Sequence, residues 1–211
     1  MTLYSSIRED LVRTTRTLYR KGLIYMKSGN VSARASSDHI AIKPSGISYE
    51  MLTAADVVIV DLEGRVVEGE RAPSSETPMH TRIYREFPDV NAVVHTHSRY
   101  ALAFAVLGRE IPIFCNEFLF IGGPIPVTDY ACAGTEAIGQ AAVAALKGPP
   151  PGKGTLLRNH GALAVGADLA EASMVARTLE ILAEIYHLAL QVGDPVLLTE
   201  AQVSELREVY A

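Results

Sequence analysis

The stretch from 91 to 98, NAVVHTHS, marks the point where a predicted strand passes into a predicted helix. Its valine-rich part is typical of a strand. Ser98 is a preferred helix N-cap residue and Gly108 is a typical stop, so a helix is predicted between them. Because alternate residues of a strand point to the same face, His95 and His97 can converge on one point.

Two imidazoles at the end of a strand are ligands that a divalent metal ion prefers. His160 is a third candidate because it lies in the corner 158–161, RNHG, where the following glycine allows a sharp turn that aims the ring inward. A second interpretation stays open, since many His-x-His pairs are surface histidines or hydrogen-bonded core residues. His39, His80 and His187 have no partner in the sequence and are interpreted as structural.

The residues before this stretch predict one helix followed by a β-meander. The helix begins at Ser6, with Glu9 completing a capping box, and stops at Gly22. Four short β-like runs follow, and Glu63 with Gly64 makes a tight turn between the last two, which indicates antiparallel pairing. The four runs are 31–34, 39–43, 57–61 and 65–67.

From Thr77 onwards, helices and short strands are predicted to alternate along the chain. Thr77 followed by Pro78 predicts a helix that runs to Phe87, and Asp168 is the predicted N-cap of a long amphipathic helix. The chain is therefore predicted to be a single α/β domain over 1–211, in three layers, with a central mixed or antiparallel sheet flanked by helices. The other predicted strands are 125–127, 155–158 and 162–165, and the later helices are 135–146, 169–192 and 200–209.

Composition excludes several classes of partner. The 211 residues are 48% hydrophobic and 20% charged, which is typical of a globular protein. A net charge of −5 opposes nucleic-acid binding, and no apolar run approaches the ~18 residues that a membrane span requires. The two cysteines make no disulfide framework, so the expected location is the cytoplasm. We expect the chain to bind neither nucleic acid nor membrane.

Three loops carry small polar residues that can approach an anion closely. Ser74 and Ser75 precede a helix start, where free backbone N–H groups and the helix dipole attract negative charge. Glu76 beside them is a candidate metal ligand or general base. The stretches 28–32, SGNVS, and 43–46, KPSG, are similarly rich in glycine and serine. Each loop alone is also typical of an ordinary cap or turn.

Taken in order, five segments resemble the class II aldolase/adducin-like family. The resemblance extends over roughly 22–186 and implies the three-layer fold of that family. Within the family it is strongest to aldolases of the L-fuculose-1-phosphate type and to L-ribulose-5-phosphate 4-epimerases. The segments are GNVS at 29–32, KPSG at 43–46, PSSETP at 73–78, HTHS at 95–98 and NHG at 159–161.

The resemblance implies a role for each matching residue. It implies that a zinc ion is held by four side chains, and Mn²⁺ and Co²⁺ are other ions that such a site accepts. One of the four, Glu76, is also the implied catalytic acid/base. The implied metal ligands are Glu76, His95, His97 and His160, and the residues implied to bind the substrate phosphate are Gly29, Asn30, Ser45, Gly46, Ser74 and Ser75.

The implied activity is zinc-dependent cleavage of a ketose 1-phosphate into dihydroxyacetone phosphate and an aldehyde. The retro-aldol reaction would pass through an enediolate whose charge the metal stabilises. The epimerases have an aspartate after the two serines, so Glu76 favours the aldolase. An epimerase, a decarboxylase and a non-enzymatic adducin-like interaction module are the alternatives. The family also implies a homotetramer with active sites between neighbouring subunits.

Two tyrosines of the family raise a question here. The aldolases use a tyrosine donated by a neighbouring subunit, but the matching region 114–118 reads FCNEF. The acid that serves the departing aldehyde is therefore open between Glu117, water and a residue elsewhere. Tyr210 is the implied counterpart of a catalytic tyrosine near the C-terminus, and it is equally typical of a surface residue on a final helical turn.

Overall fold

Seven short strands form one sheet in the computed structural model, which describes residues 4–210. The strands are β1 (Asn30–Arg34), β2 (His39–Ile42), β3 (Val58–Asp61), β4 (Val66–Glu68), β5 (Ala92–Thr96), β6 (Gly154–Leu157) and β7 (Gly161–Gly166). Their order is β4-β3-β2-β1-β5-β7-β6, and every neighbouring pair is antiparallel. The predicted meander of the first four strands is confirmed, and of the two sheet types predicted the antiparallel one is observed.

Six α-helices accompany the sheet in the described part of the chain. They are α1 (Ser5–Arg20), α2 (Thr77–Glu86), α3 (Arg99–Leu107), α4 (Glu136–Leu146), α5 (Leu169–Val192) and α6 (Glu200–Tyr210). The predicted boundaries hold at α3, which ends at Gly108 in a left-handed conformation, and at α5, where Asp168 accepts a hydrogen bond from the backbone N–H of Glu171.

The alternation of strand side chains divides the core into two clusters, one on each face of the sheet. Val94 of β5 packs in the cluster that holds Phe104 of α3 and Leu179 of α5. Val93, its neighbour, packs in the cluster that holds Met79 of α2. Helices α1, α3 and α5 thus cover one face and α2 and α4 cover the other, which confirms the three-layer arrangement.

The sheet topology brings three chain segments to one end of β5. Since β1 and β7 run antiparallel to β5, both begin where β5 ends. Asn30 at the start of β1 is paired with His95, and Ala162 near the start of β7 is paired with Thr96. The histidines predicted to bind a metal ion therefore lie where the ends of β1, β5 and β7 meet.

Two local predictions are wrong. The predicted strand 125–127 is reduced to isolated bridges from Ile125 to Ile111 and from Val127 to Leu156, because Pro124 and Pro126 supply no backbone N–H.

The predicted capping box of Ser6 with Glu9 is absent as well. Helix α1 begins one residue earlier, at Ser5, with Tyr4 as its N-cap. The Tyr4 side chain is buried and its hydroxyl lies 2.8 Å from Nδ1 of His39, so tertiary packing rather than a local cap places the start of the helix.

Candidate active site

The buried side chain of His95 is oriented by the neighbouring strand. Its Nδ1 lies 2.9 Å from the carbonyl oxygen of Ala162. A carbonyl oxygen only accepts hydrogen bonds, so Nδ1 carries the proton and the lone pair of Nε2 is free. Burial lowers the pKa of His95, which keeps the ring neutral and suitable as a metal ligand.

The corner between β6 and β7 carries His160 towards His95. Asn159 has a left-handed backbone with φ of 57°, and the backbone N–H of His160 donates to the carbonyl of Leu157. A Cβ at Gly161 would lie 2.3 Å from the carbonyl oxygen of Thr96, so only glycine fits there. This close approach holds Nε2 of His160 at 3.1 Å from Nε2 of His95.

His97 completes a group of three imidazoles. Its Nε2 lies 3.0 Å from Nε2 of His95, and the potential ligand atoms of His95, His97 and His160 all lie within 4.8 Å of one another. Burial lowers the pKa of His97 to about 3, and the neighbouring imidazoles of His95 and His160 add to this effect. The three rings predicted to meet do so.

Glu76 places a carboxylate against the same group. It is the N-cap residue of α2, and its Oε2 lies 3.1 Å from Nε2 of His95 while its Oε1 lies 2.7 Å from Nε2 of His160. Burial alone would raise the pKa of Glu76. The adjacent imidazole of His95, together with hydrogen bonds from His160 and Asn30, outweighs burial, so the pKa of Glu76 lies well below its usual range and the carboxylate is ionised.

The three imidazoles lie close enough together to hold a divalent metal ion, and the Glu76 carboxylate contacts two of them. Three imidazole nitrogens and one carboxylate oxygen form a donor set typical of zinc. The orientation of His95 supports this assignment, since its free lone pair faces the other donors instead of a hydrogen-bond donor of the protein backbone.

A small polar cleft of about 180 Å³ opens beside these residues. Glu76, His97 and His160 line one part of it. All six residues predicted to bind a phosphate line it as well, namely Gly29, Asn30, Ser45, Gly46, Ser74 and Ser75. The three loops predicted to bind an anion, which are far apart in sequence, are therefore neighbours in space.

The sequence model of the family described as "Class II Aldolase and Adducin N-terminal domain" matches residues 9–187. The chain belongs to this family. The 5-deoxy-D-ribulose 1-phosphate aldolase of Bacillus thuringiensis serovar kurstaki is 38% identical over 204 residues, covering 96% of this chain and 94% of the relative. The L-fuculose phosphate aldolase of Escherichia coli K12 is 35% identical over 208 residues, covering 98% and 94%.

The comparison of structures agrees with this membership. A solved L-fuculose 1-phosphate aldolase superposes with a TM-score of 0.92 at 33% identity, covering 98% of this chain and 96% of that one. The predicted family, fold and enzyme class are thus confirmed: the chain is a class II aldolase. Class II aldolases depend on a metal ion, and the three clustered histidines provide a place for one.

Two lysines of this class II aldolase add positive charge to the cleft. Lys43 is buried at the end of β2, and its amine lies 4.9 Å from the centre of the Tyr49 ring. Burial and the nearby Lys27 lower the pKa of Lys43 to about 8. From the sequence, Lys43 is a candidate source of positive charge for an anion, whereas Lys27 does not stand out. The one sequence feature that points to Lys27 is its position two residues before Gly29, which lines the same cleft.

The two candidates for the acid that serves the departing aldehyde, Tyr210 and Glu117, lie away from the histidines. Tyr210 is exposed on the last turn of α6, and it does not line the cleft of its own subunit. Asn116 and Glu117 are exposed at the start of a short 3-10 helix, Asn116–Phe120. Within one subunit, the described residues do not bring Tyr210 or Glu117 to the histidines, and their catalytic roles stay predictions.

Among the described residues, no helix combines the length and the apolar character that crossing a membrane requires.

Proposed function

We propose that this class II aldolase cleaves a ketose 1-phosphate between C3 and C4, giving dihydroxyacetone phosphate and a short aldehyde. The observation that carries the proposal is the position of Glu76, whose carboxylate contacts His95 and His160 and also lines the cleft of the phosphate loops. Two relatives act, by their names, on 5-deoxyribulose 1-phosphate and on fuculose phosphate. Both names describe deoxyketose phosphates, so we infer a substrate of the L-fuculose-1-phosphate type.

The proposed cofactor is Zn²⁺, held by His95, His97, His160 and Glu76. When bound, it supplies Lewis-acid polarisation of the substrate carbonyl. The imidazole rings are suited to hold it because burial keeps His95 and His97 neutral. Mn²⁺ or Co²⁺ would suit the same donor set.

Glu76 is the proposed acid/base. Its low pKa leaves it ionised in the free enzyme, ready to accept a proton. In the retro-aldol direction the C4 hydroxyl gives its proton to the ionised carboxylate of Glu76, the C3–C4 bond breaks, and the bonding electrons stay with C3. Glu76 then delivers a proton to C3, which becomes the hydroxymethyl carbon of dihydroxyacetone phosphate.

The polar cleft is the proposed phosphate site. Hydroxyl groups of Ser45, Ser74 and Ser75 and the charges of Lys27 and Lys43 line it. A phosphate dianion bound there would hold the far end of the substrate and position the reacting carbons beside Glu76.

We further propose a homotetramer with active sites between subunits, in the cytoplasm. Exposed apolar side chains occur along the outer side of α5, at Ile181, Ile185, Leu188 and Val192, and could pack against a neighbouring subunit. Cys115 and Cys132 are free thiols, which suits a reducing compartment.

A product assay tests the proposed function. The purified enzyme is incubated with L-fuculose 1-phosphate, 5-deoxyribulose 1-phosphate and L-ribulose 5-phosphate, with and without a chelator. Released dihydroxyacetone phosphate is measured by its reduction with NADH and glycerol-3-phosphate dehydrogenase. We expect release from the 1-phosphates and loss of it with the chelator. Conversion of the 5-phosphate with retention of all five carbons would instead show an epimerase.

A further inference from the structure

A line of buried hydrogen bonds leads from Glu76 into the core beneath the cleft. Asn30 Nδ2 donates to Oε2 of Glu76 over 2.8 Å, and Oδ1 of the same amide is bonded to Nε2 of His80. Nδ1 of His80 lies 2.6 Å from Oγ of Ser32, which lies 2.9 Å from the hydroxyl of Tyr84. All five side chains are buried, and His80 is fully buried on α2, one turn after Glu76.

The direction of each hydrogen bond follows from the chemistry of its partners. The carboxylate of Glu76 only accepts, so Asn30 must turn its NH2 group towards it and its carbonyl towards His80. That carbonyl only accepts, so His80 must carry its proton on Nε2.

The proton on Nε2 of His80 also determines the direction of the two remaining hydrogen bonds, from Ser32 and from Tyr84. Nδ1 of His80 has no proton and accepts from the hydroxyl of Ser32. The oxygen of Ser32 in turn accepts from the hydroxyl of Tyr84. Burial lowers the pKa of His80 to about 3, in agreement with a neutral ring. Every donor in the line therefore points towards Glu76.

We propose that His80, supported by Ser32 and Tyr84, is a positioning residue that fixes the amide of Asn30 so that its NH2 group holds the Glu76 carboxylate in its reactive orientation. This inference rests on the proposed role of Glu76 as acid/base. Without His80 the amide could rotate and present its oxygen to the carboxylate, and the repulsion would displace Glu76. The sequence alone favours a structural role for His80, because no partner lies near it in the sequence.

The first test measures the ring proton of His80 directly, without activity. Nitrogen-15 spectra of the imidazole groups in the metal-free protein distinguish a proton on Nε2 from one on Nδ1, and His80→Gln assigns the signal by difference. We expect the neutral Nε2–H form at neutral pH. A proton on Nδ1, or a charged ring, would overturn the proposed line of donors.

The second test separates positioning from general stability. His80→Leu removes the donor to Asn30, and we expect kcat to fall about 10- to 100-fold with KM little changed, and zinc affinity, measured by competition with a chelator, to fall as well. His80→Gln should recover most of kcat, because its amide can donate to Asn30 and accept from Ser32. Equal loss in both variants, or an unchanged kcat in His80→Leu, would overturn the proposal.

His39→Leu is a matched control, since Nδ1 of His39 is likewise bonded to a hydroxyl, that of Tyr4, but His39 lies at the end of β2 opposite to Lys43 and the cleft. It should leave kcat unchanged. If His80→Leu does not fold, Ser32→Ala replaces it, with an expected loss in kcat of about tenfold. Thr15→Ala, which removes a buried hydroxyl from α1, is its control.

The two proposals fail in different ways. If the enzyme releases no dihydroxyacetone phosphate from any ketose phosphate, the proposed function is wrong, and the ring spectra and zinc affinities still report on His80. If the enzyme is an aldolase and the His80 variants behave like their controls, only the positioning role is wrong.

Discussion

Glu76 Oε1 and His160 Nε2 lie 2.7 Å apart, although 84 positions separate the two residues in the sequence. Glu76 stands at the start of α2 and His160 at the corner between β6 and β7, so this contact joins the helix layer to the far part of the sheet. It places one carboxylate where it can both bind a metal ion with the imidazoles and move a proton of the substrate. The following predictions depend on this arrangement.

Glu76→Gln tests the proton transfer. The amide cannot take up a proton, so we expect kcat to fall by about 10²- to 10⁴-fold, while much of the bound metal is retained by the three histidines. Steady-state kinetics and metal analysis of the same preparation measure the two effects. Glu63→Gln, in an exposed turn, is the control. Normal turnover in Glu76→Gln would remove Glu76 from the mechanism.

Gly161→Ala tests the close approach that positions His160. The added Cβ would meet the carbonyl oxygen of Thr96 and lie 3.0 Å from Cε1 of His95. We expect an overpacking loss of about 1–3 kcal/mol in unfolding free energy, measured by urea denaturation, and weaker metal binding. Gly193→Ala, where no atom lies within 4 Å of the added Cβ, should be tolerated. Equal stability and metal content in the two variants would contradict the assignment.

The lowered pKa of Lys43 predicts that substrate binding depends on pH. Its pKa is lowered to about 8, so the amine loses its charge as the pH rises through that value, and the phosphate loses a cationic partner. We expect kcat/KM, which reports the free enzyme, to fall on the alkaline side with an apparent pKa of about 8. In Lys43→Met the value at neutral pH should be lower and this alkaline decrease should disappear. An unchanged pH profile in Lys43→Met would show that another group is responsible.

Tyr210→Phe tests the proposed contribution of the C-terminal helix to the active site of a neighbouring subunit. Loss of a general acid lowers kcat by about 10²-fold or more, and we expect such a loss here. Glu117→Gln examines the other candidate in the same assay. Tyr19→Phe, on α1, is the control for loss of a tyrosine hydroxyl. Full activity of Tyr210→Phe would end its assignment and leave Glu117 or water as the acid.

The sequence predicted those parts of the site that depend on local periodicity. Alternation along one strand was enough to bring His95 and His97 together. The meeting of His160 with His95 depends on the register of β7 against β5, which a single sequence does not reveal, and the family resemblance supplied it. The prediction of a strand at 125–127 was wrong because it relied on the apolar residues and gave too little weight to Pro124 and Pro126, which have no backbone N–H.

The roles of Lys27 and His80 are harder to predict from sequence for a different reason. Their partners, Lys43 and Asn30, come from other loops and strands, and only the folded chain places them within reach. Buried hydrogen-bond networks of this kind leave little local pattern in the sequence.

X-ray absorption at the zinc edge of the purified enzyme tests the central claim most directly. We predict one zinc ion per chain with three imidazole nitrogens and a carboxylate oxygen at about 2.0–2.2 Å, and loss of bound zinc in His95→Ala with the fold retained. Sulfur ligands in the spectrum, or full zinc content in His95→Ala, would contradict a metal centre formed by His95, His97, His160 and Glu76.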